Sequence, residues 1–265
     1  MVNLISIRGS ETPALHFPRI ICLHGGGSNA RIFKAQCRVL KKELSTHFRL
    51  VFADAPFPSQ PGPDVTSVYK EFGPFRRWLR SGPEHAHVDP TDAVEMIEDS
   101  LYAAMDEDDM RGATGDWVGV LGFSQGAKMA ASLLFRQQVR SERLGAYMAG
   151  TDFQFAVLMA GRGPLVSLEP DLLMNSALVD ASEIGLAQVP SRQDLDRMEH
   201  VLRLPTVHVH GLQDPGLPLH RTLLHDYCSH DARLVEWNGN HRVPITTDDV
   251  LEVVKQILLA AEDKG

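Results

Sequence analysis

One five-residue stretch limits the fold of this chain more than any other: Gly122-Phe123-Ser124-Gln125-Gly126, a serine between two glycines where an apolar run gives way to good helix formers. The preceding Trp117-Val118-Gly119-Val120-Leu121 has the length and composition of a strand buried on both faces. The following Ala127-Lys128-Met129-Ala130-Ala131-Ser132-Leu133-Leu134 reads as helix. A serine on so sharp a strand-to-helix turn needs small neighbours, because the helix returns close against the strand. Its hydroxyl then stands exposed above the sheet, beside helix N-terminal amides that favour negative charge. Alone, the motif equally describes a glycine-rich turn with a solvated serine, so the rest of the chain must supply its partners.

Buried-strand patterns recur at 19–23, 49–53, 155–160, 205–211 and 233–237, alternating with helical patterns at 32–44, 92–106 and 248–261. This alternation predicts an α/β fold with a mostly parallel sheet covered by helices on both faces. No linker, repeat or charge block divides the 265 residues, which predicts one domain spanning 1–265. Two irregular segments, about 56–90 and 161–203, read as lid-like insertions and candidate pocket walls. The first carries Tyr69, Phe72, Phe75 and Trp78, which either line an apolar substrate pocket together with Phe123 or form a small core beneath the loop. The second, with Leu172, Leu173, Met174, Leu178 and Ile184, is either the opposite wall or a surface connection with a helix at 192–202.

A formal charge of −8 with interspersed signs argues against nucleic-acid binding. Cys22, Cys37 and Cys228 are widely spaced, which predicts a reducing setting rather than a disulfide framework. The N-terminus shows neither a basic leader nor a long apolar segment, and no apolar run has bilayer-spanning length, so a cytoplasmic protein without membrane contact is expected. His85, His87 and Asp89 have a metal-like spacing with no further ligand cluster nearby, which reads as a polar loop; no metal and no organic cofactor are expected.

After the 19–23 strand comes His24-Gly25-Gly26-Gly27-Ser28. Uncovered glycine amides suit an oxyanion hole, which assigns Gly26 or Gly27 together with Gln125 as backbone N–H donors. A flexible turn is the bland alternative; the lysine and glycine spacing of nucleotide loops is missing. Asp54, which precedes the serine in sequence, reads as a structural hydrogen-bonding group. His208 and His210 alternate onto one strand face and read as satisfied core histidines. Asp214 follows the penultimate strand and His241 the last, so Ser124, Asp214 and His241 appear in the Ser, Asp, His order of a hydrolase triad at strand C-terminal edges.

With these four loops in hand, the blocks 22–30, 122–127, 208–214 and 239–244 resemble those of the FSH family of small serine hydrolases within the α/β-hydrolase superfamily, nearly end to end. They are most similar to fungal members from polyketide gene clusters, of the thioesterase type that releases the lovastatin precursor from its synthase. The resemblance implies a serine hydrolase cleaving an acyl thioester through an acyl-enzyme, freeing a polyketide or similar apolar chain from an acyl carrier domain. A carboxylesterase acting on small esters or lactones remains the alternative, and a catalytically silent binding module a more distant one. Arg76, Arg77 and Arg80 either meet the carrier domain or form a solvated face.

Overall fold

The computed structural model describes residues 15–173, 175–184, 191–195, 198–229 and 231–262. In chain order the elements are β1 (Arg19–Leu23), α1 (Ala30–Gln36), α2 (Arg38–Leu44), β2 (Arg49–Ala53), β3 (Phe57–Ser59), α3 (Pro63–Tyr69), β4 (Phe75–Arg77), α4 (Pro90–Met110) and β5 (Trp117–Phe123). They continue with α5 (Gln125–Leu144), β6 (Phe155–Met159), β7 (Val166–Ser167), β8 (Val179–Asp180), α6 (Arg192–Leu195), β9 (Thr206–Gly211), α7 (Leu217–Tyr227), β10 (Arg233–Trp237) and α8 (Thr247–Glu262). Six strands form one all-parallel sheet in the order β10-β9-β6-β5-β1-β2. The chain runs from β1 outward to β2, then crosses back to β5 on the other flank of β1. This reversal places the crevice where open parallel sheets bind ligands above β1 and β5.

The period-two alternation of β1 divides the core. Ile21 and Leu23 face one layer with Ile97 and Leu101 of α4 and the buried face of α5, while Ile20 and Cys22 face the other with Phe33 of α1, Leu40 of α2 and Val253 and Ile257 of α8. Helix α5 has buried residues from Gly126 to Val139, as expected of an element enclosed between the sheet and the second insertion. At the opposite end of the sheet, Asp108 is buried and accepts two hydrogen bonds from Arg49, at 2.8 Å from Nε and 2.5 Å from Nη2, with Arg19 also alongside.

The helical pattern at 32–44 is two helices, because the backbone turns at Cys37 between α1 and α2. Helix α4 starts at Pro90 with the Asp89 side chain accepting from Thr91 N at 2.9 Å, so Asp89 is the cap rather than a ligand, and Met96 faces outward. In the first insertion β3 pairs with β4 in an antiparallel hairpin. In the second, β7 and β8 form a short parallel pair, and Leu173 and Leu178 bury themselves in the α5-side core. Met174 lies outside the described residues, as do 196 and 197 of the expected 192–202 helix, of which the structure shows Arg192–Leu195.

Candidate active site

Ser124 sits between β5 and α5 with φ +54° and ψ −115°, a left-handed conformation costly for a residue with a Cβ and one that projects the side chain above the sheet. The flanking glycines make the turn sterically feasible. A Cβ on Gly122 would lie 2.1 Å from Gly126 O, and one on Gly126 would lie 2.1 Å from Leu23 O. Ser124 N donates to Met159 O at 2.8 Å, fixing the turn to β6.

The loops after β9 and β10 bring the other two residues to it. Ser124 Oγ lies 3.0 Å from His241 Nε2, and His241 Nδ1 lies 2.6 Å from Asp214 Oδ2. Asp214 is buried and its other oxygen accepts from Gly216 N at 2.7 Å. Burial works to raise the Asp214 pKa, but the Gly216 amide, the His241 hydrogen bond and the neighbouring imidazoles outweigh it and hold the carboxyl below its ordinary value. An ionised Asp214 fixes the Nδ1–H tautomer of His241, leaving Nε2 free to accept the serine proton.

At the loop after β1 the two glycines differ. Gly27 N donates to Arg76 O at 2.9 Å, and its φ of +72° accommodates the close approach of the 60–62 backbone. Its assignment as an oxyanion donor is therefore corrected: that N–H is committed to the β4 strand. The N–H groups of Gly26 and Gln125 make no such backbone bond among the described residues, and both residues line the space around Ser124. His24, fully buried, accepts from Ala55 N through Nε2 at 3.1 Å, so Nδ1 carries the hydrogen and donates to Gly25 O at 2.8 Å.

Two cavities meet at Ser124. The smaller, about 400 Å³, runs beneath the first insertion past Gln60, Leu79, Arg80 and Lys128. The larger, about 950 Å³, opens past Arg38, Val65, Val68, Tyr69, His241 and Ile245. Tyr69 and Phe123 line the larger one, as expected for pocket aromatics, whereas Phe72, Phe75 and Trp78 line neither. Trp78 is instead core, with its indole N–H donating to His24 O at 3.0 Å, and Phe72 is exposed beneath the Arg31 guanidinium. Aromatic content alone does not distinguish these fates. Of the described residues of the second insertion, Arg162 is the one that lines the cavities.

The 76–80 arginines do not share one solvated face. Arg77 is buried over the Phe57 ring, Arg76 donates to Pro56 O, and Arg80 donates to His85 O and faces the smaller cavity. Asp54 accepts from Ala30 N at 2.8 Å, the structural role expected of it. His208 and His210 are buried as expected but poorly satisfied: His208 has only Thr206 Oγ1 at 3.3 Å, and neither nitrogen of His210 has a partner among the described residues.

Three features lay beyond sequence reasoning. The Gln125 side chain accepts from Trp78 N at 2.8 Å and donates to Leu79 O at 2.9 Å, fastening the first insertion to the elbow. Buried His220 places Nε2 3.8 Å from Asp214 Oδ2, its pKa lowered chiefly by burial. Lys128 lines the smaller cavity; its position four residues after Ser124 is the one signal that could have found it. Donor atoms of Asp214, His220 and His241 all lie within 4.8 Å of one another, a grouping that could hold a metal ion, although Asp214 already engages Gly216 and His241.

Sheet order, strained elbow and a hydrogen-bonded line of serine, imidazole and buried carboxylate define a serine hydrolase with the α/β-hydrolase fold. The sequence matches the family described as Serine hydrolase (FSH1) over residues 14–253, and the chain belongs to that family. It is 64% identical over 255 residues to a protein of Aspergillus terreus named "Probable esterase tazC", covering 96% of each chain. It is also 60% identical to "Esterase pigG" of Monascus ruber, covering 97% of this chain and 96% of that protein. Among solved structures, TT1662 from Thermus thermophilus superposes with a TM-score of 0.50 at 16% identity, covering 95% of this chain and 92% of that one, a likeness of fold alone. No helix among the described residues is long and apolar enough to cross a membrane.

Proposed function

We propose that this serine hydrolase cleaves an acyl thioester, releasing a polyketide chain from an acyl carrier domain by way of an acyl-enzyme on Ser124. His241 Nε2 takes the Ser124 proton as Oγ bonds to the acyl carbonyl carbon, and the Gly26 and Gln125 amides hold the resulting oxyanion. When the C–S bond breaks, the sulfur leaves as a thiol carrying the proton from His241. Water then attacks the ester, passing its proton to His241 and onward to Ser124 Oγ, and the free acid departs. Asp214 holds the imidazole and stabilises its charged form throughout.

The observation that supports this reading is the inequality of the two cavities. Because His241 must reach the departing atom, the leaving group belongs on the His241 side, in the cavity of about 950 Å³, and the acyl group in that of about 400 Å³. A leaving side more than twice as large as the acyl side suits a long thiol arm better than a small alcohol. Arg38 and Arg242 on its lining suit the phosphate of such an arm or an acidic carrier surface. The buried thiols Cys22, Cys37 and Cys228 fit a reducing cytoplasmic setting.

The names of the relatives, both esterases, favour a second reading, hydrolysis of an oxygen ester. Kinetics on an acyl pantetheine thioester and its matched oxygen ester distinguish the two. A higher kcat/KM for the thioester and release from a loaded carrier domain are expected; preference for the oxygen ester with no carrier release sinks the proposal. Failure of Ser124 to label with a fluorophosphonate would point to a silent binding module.

A further inference from the structure

His220 stands beside the triad without being used by it. It is fully buried on α7, and neither ring nitrogen has a hydrogen-bond partner among the described residues. A polar group buried in this way costs stability unless something binds it. Its Nε2 lies 3.8 Å from Asp214 Oδ2, and the same oxygen is 2.6 Å from His241 Nδ1. A Cβ on Gly216 would come within 2.9 Å of that Nε2, so a glycine there lets the imidazole approach the carboxylate. Donor atoms of Asp214, His220 and His241 thus fall within 4.8 Å of one another. Two imidazoles and a carboxylate are a donor set for transition metals rather than for hard cations such as magnesium. Burial lowers the His220 pKa to about 4, and Asp214 is held below its ordinary value, so at neutral pH one is a free base and the other an anion, the states a metal requires. Asp214 and His241 line the larger cavity, which supplies an entry path. Arg162 lines it too and is the neighbouring charge that works against a cation, while His210, its ring centroid 5.6 Å from that of His220, is neutral.

We propose that Asp214, His220 and His241 form an inhibitory site for zinc or a similar transition-metal ion, which switches the triad off by taking the Nδ1 lone pair of His241. Zinc holds such ligands at about 2.0–2.1 Å in a tetrahedron, so they stand about 3.3 Å from one another. His241 Nδ1 and Asp214 Oδ2 therefore move apart and His220 Nε2 closes in. A neutral imidazole carries one proton, and a metal on Nδ1 leaves Nε2 as its place. Nε2 then faces Ser124 Oγ, 3.0 Å away, as a donor and cannot accept the serine proton. The hydrogen bond from His241 to Asp214 is lost in the same step. The ion is no cofactor, since it occupies the catalytic groups rather than serving them. The inhibitory consequence rests on the reading of His241 as the base for Ser124.

The test follows hydrolysis of 4-nitrophenyl butyrate, whose products do not sequester zinc as a released thiol would, together with the rate of fluorophosphonate labelling of Ser124. Zinc added to EDTA-treated wild-type protein at about 10 μM, a level suited to three protein ligands rather than the four of tight structural sites, should slow both by roughly tenfold or more. Excess EDTA should restore both. Nickel and cobalt should act likewise, and magnesium and calcium should not. His220→Leu should raise the zinc concentration for half-inhibition by roughly tenfold or more, measured against that variant's own metal-free rate. Absence of zinc inhibition, equal inhibition by magnesium, or unchanged sensitivity in a folded His220→Leu protein overturns the proposal. If that variant does not fold, wild-type crystals soaked in zinc decide: an anomalous peak among Asp214, His220 and His241 supports the site, and no peak there overturns it. Metal-free rates separate the levels: hydrolysis and labelling that zinc leaves unaltered remove this inference alone, whereas neither activity in metal-free protein removes the hydrolase mechanism as well.

Discussion

The Nδ1 nitrogen of His24 donates to the carbonyl oxygen of Gly25 at 2.8 Å, and that bond sets the direction of the next amide. In a trans peptide the carbonyl of one residue and the N–H of the next point in opposite directions, so holding Gly25 O against His24 turns Gly26 N–H the other way. His24 is thus a positioning residue for the proposed oxyanion donor. Replacement by leucine should lower kcat by about 10-fold to 100-fold, short of or equal to the loss of a whole donor, with little change in KM. His24→Asn, whose amide can donate to the same carbonyl, should recover part of it. Equal losses in both variants, or a change confined to KM, would contradict the role.

Gly126→Ala tests the closeness of strand and helix. The new methyl group would stand 2.1 Å from Leu23 O and 2.6 Å from His24 O, both backbone atoms that cannot rotate aside. A stability loss of about 1–3 kcal/mol or more is expected in urea unfolding, with activity falling further than stability because the loop holding Gly26 is pushed away. A variant as stable and active as the parent would show that the elbow can relax.

Acid should destabilise the fold through its buried imidazoles. Burial lowers the pKa of His24 to about 4, of His208 to about 3 and of His210 to about 4, from 6.5. Because these folded-state values lie below the unfolded one, the unfolded chain binds protons first. Stability is therefore complete above pH 6.5 and falls as pH drops from there toward 4, by up to about 1.4 kcal/mol per pH unit for each histidine. Urea midpoints measured near pH 7 and pH 5 should differ accordingly, and His210→Leu should reduce the slope. Equal midpoints would refute the linkage.

Asp108 serves the far end of the sheet. Removing its carboxylate strands Arg49 beneath β1 and β2, while Arg19 keeps Asp109 and Gly115 O, so Asp108→Ala should cost about 3 kcal/mol. Since the triad sits at the other end of the strands, kcat measured well below the melting temperature should hardly change. A large kcat effect with unaltered stability would reverse this assignment.

The strands, the elbow and the serine, aspartate and histidine loops were legible because each is encoded locally, by an apolar run closing on a turn and a polar residue. The sequence of β1, Arg19-Ile20-Ile21-Cys22-Leu23, needs nothing outside itself to read as a buried strand. What stayed illegible depends on partners distant in sequence. Gly26 and Gly27 are chemically identical, and only the meeting with Arg76 O removes one of them as a donor. Trp78 satisfies either reading of an aromatic in an insertion until His24 O is found beside its indole. Lys128 reads only as one residue of a helix-forming run, because periodicity does not say that a cavity has been built against the face it occupies.

The double hydrogen bond between the Gln125 side chain and the 78–79 backbone has an evolutionary corollary. One residue would supply the proposed oxyanion amide from its main chain and fastens the first insertion with its side chain. Exchanging that segment between relatives succeeds only when the transplanted backbone presents an N–H and a carbonyl in the same register. Diversification of substrate range would thereby be channelled into side chains on an unaltered trace, so swapped loops of altered length should yield inactive chimeras more often than enzymes of new selectivity.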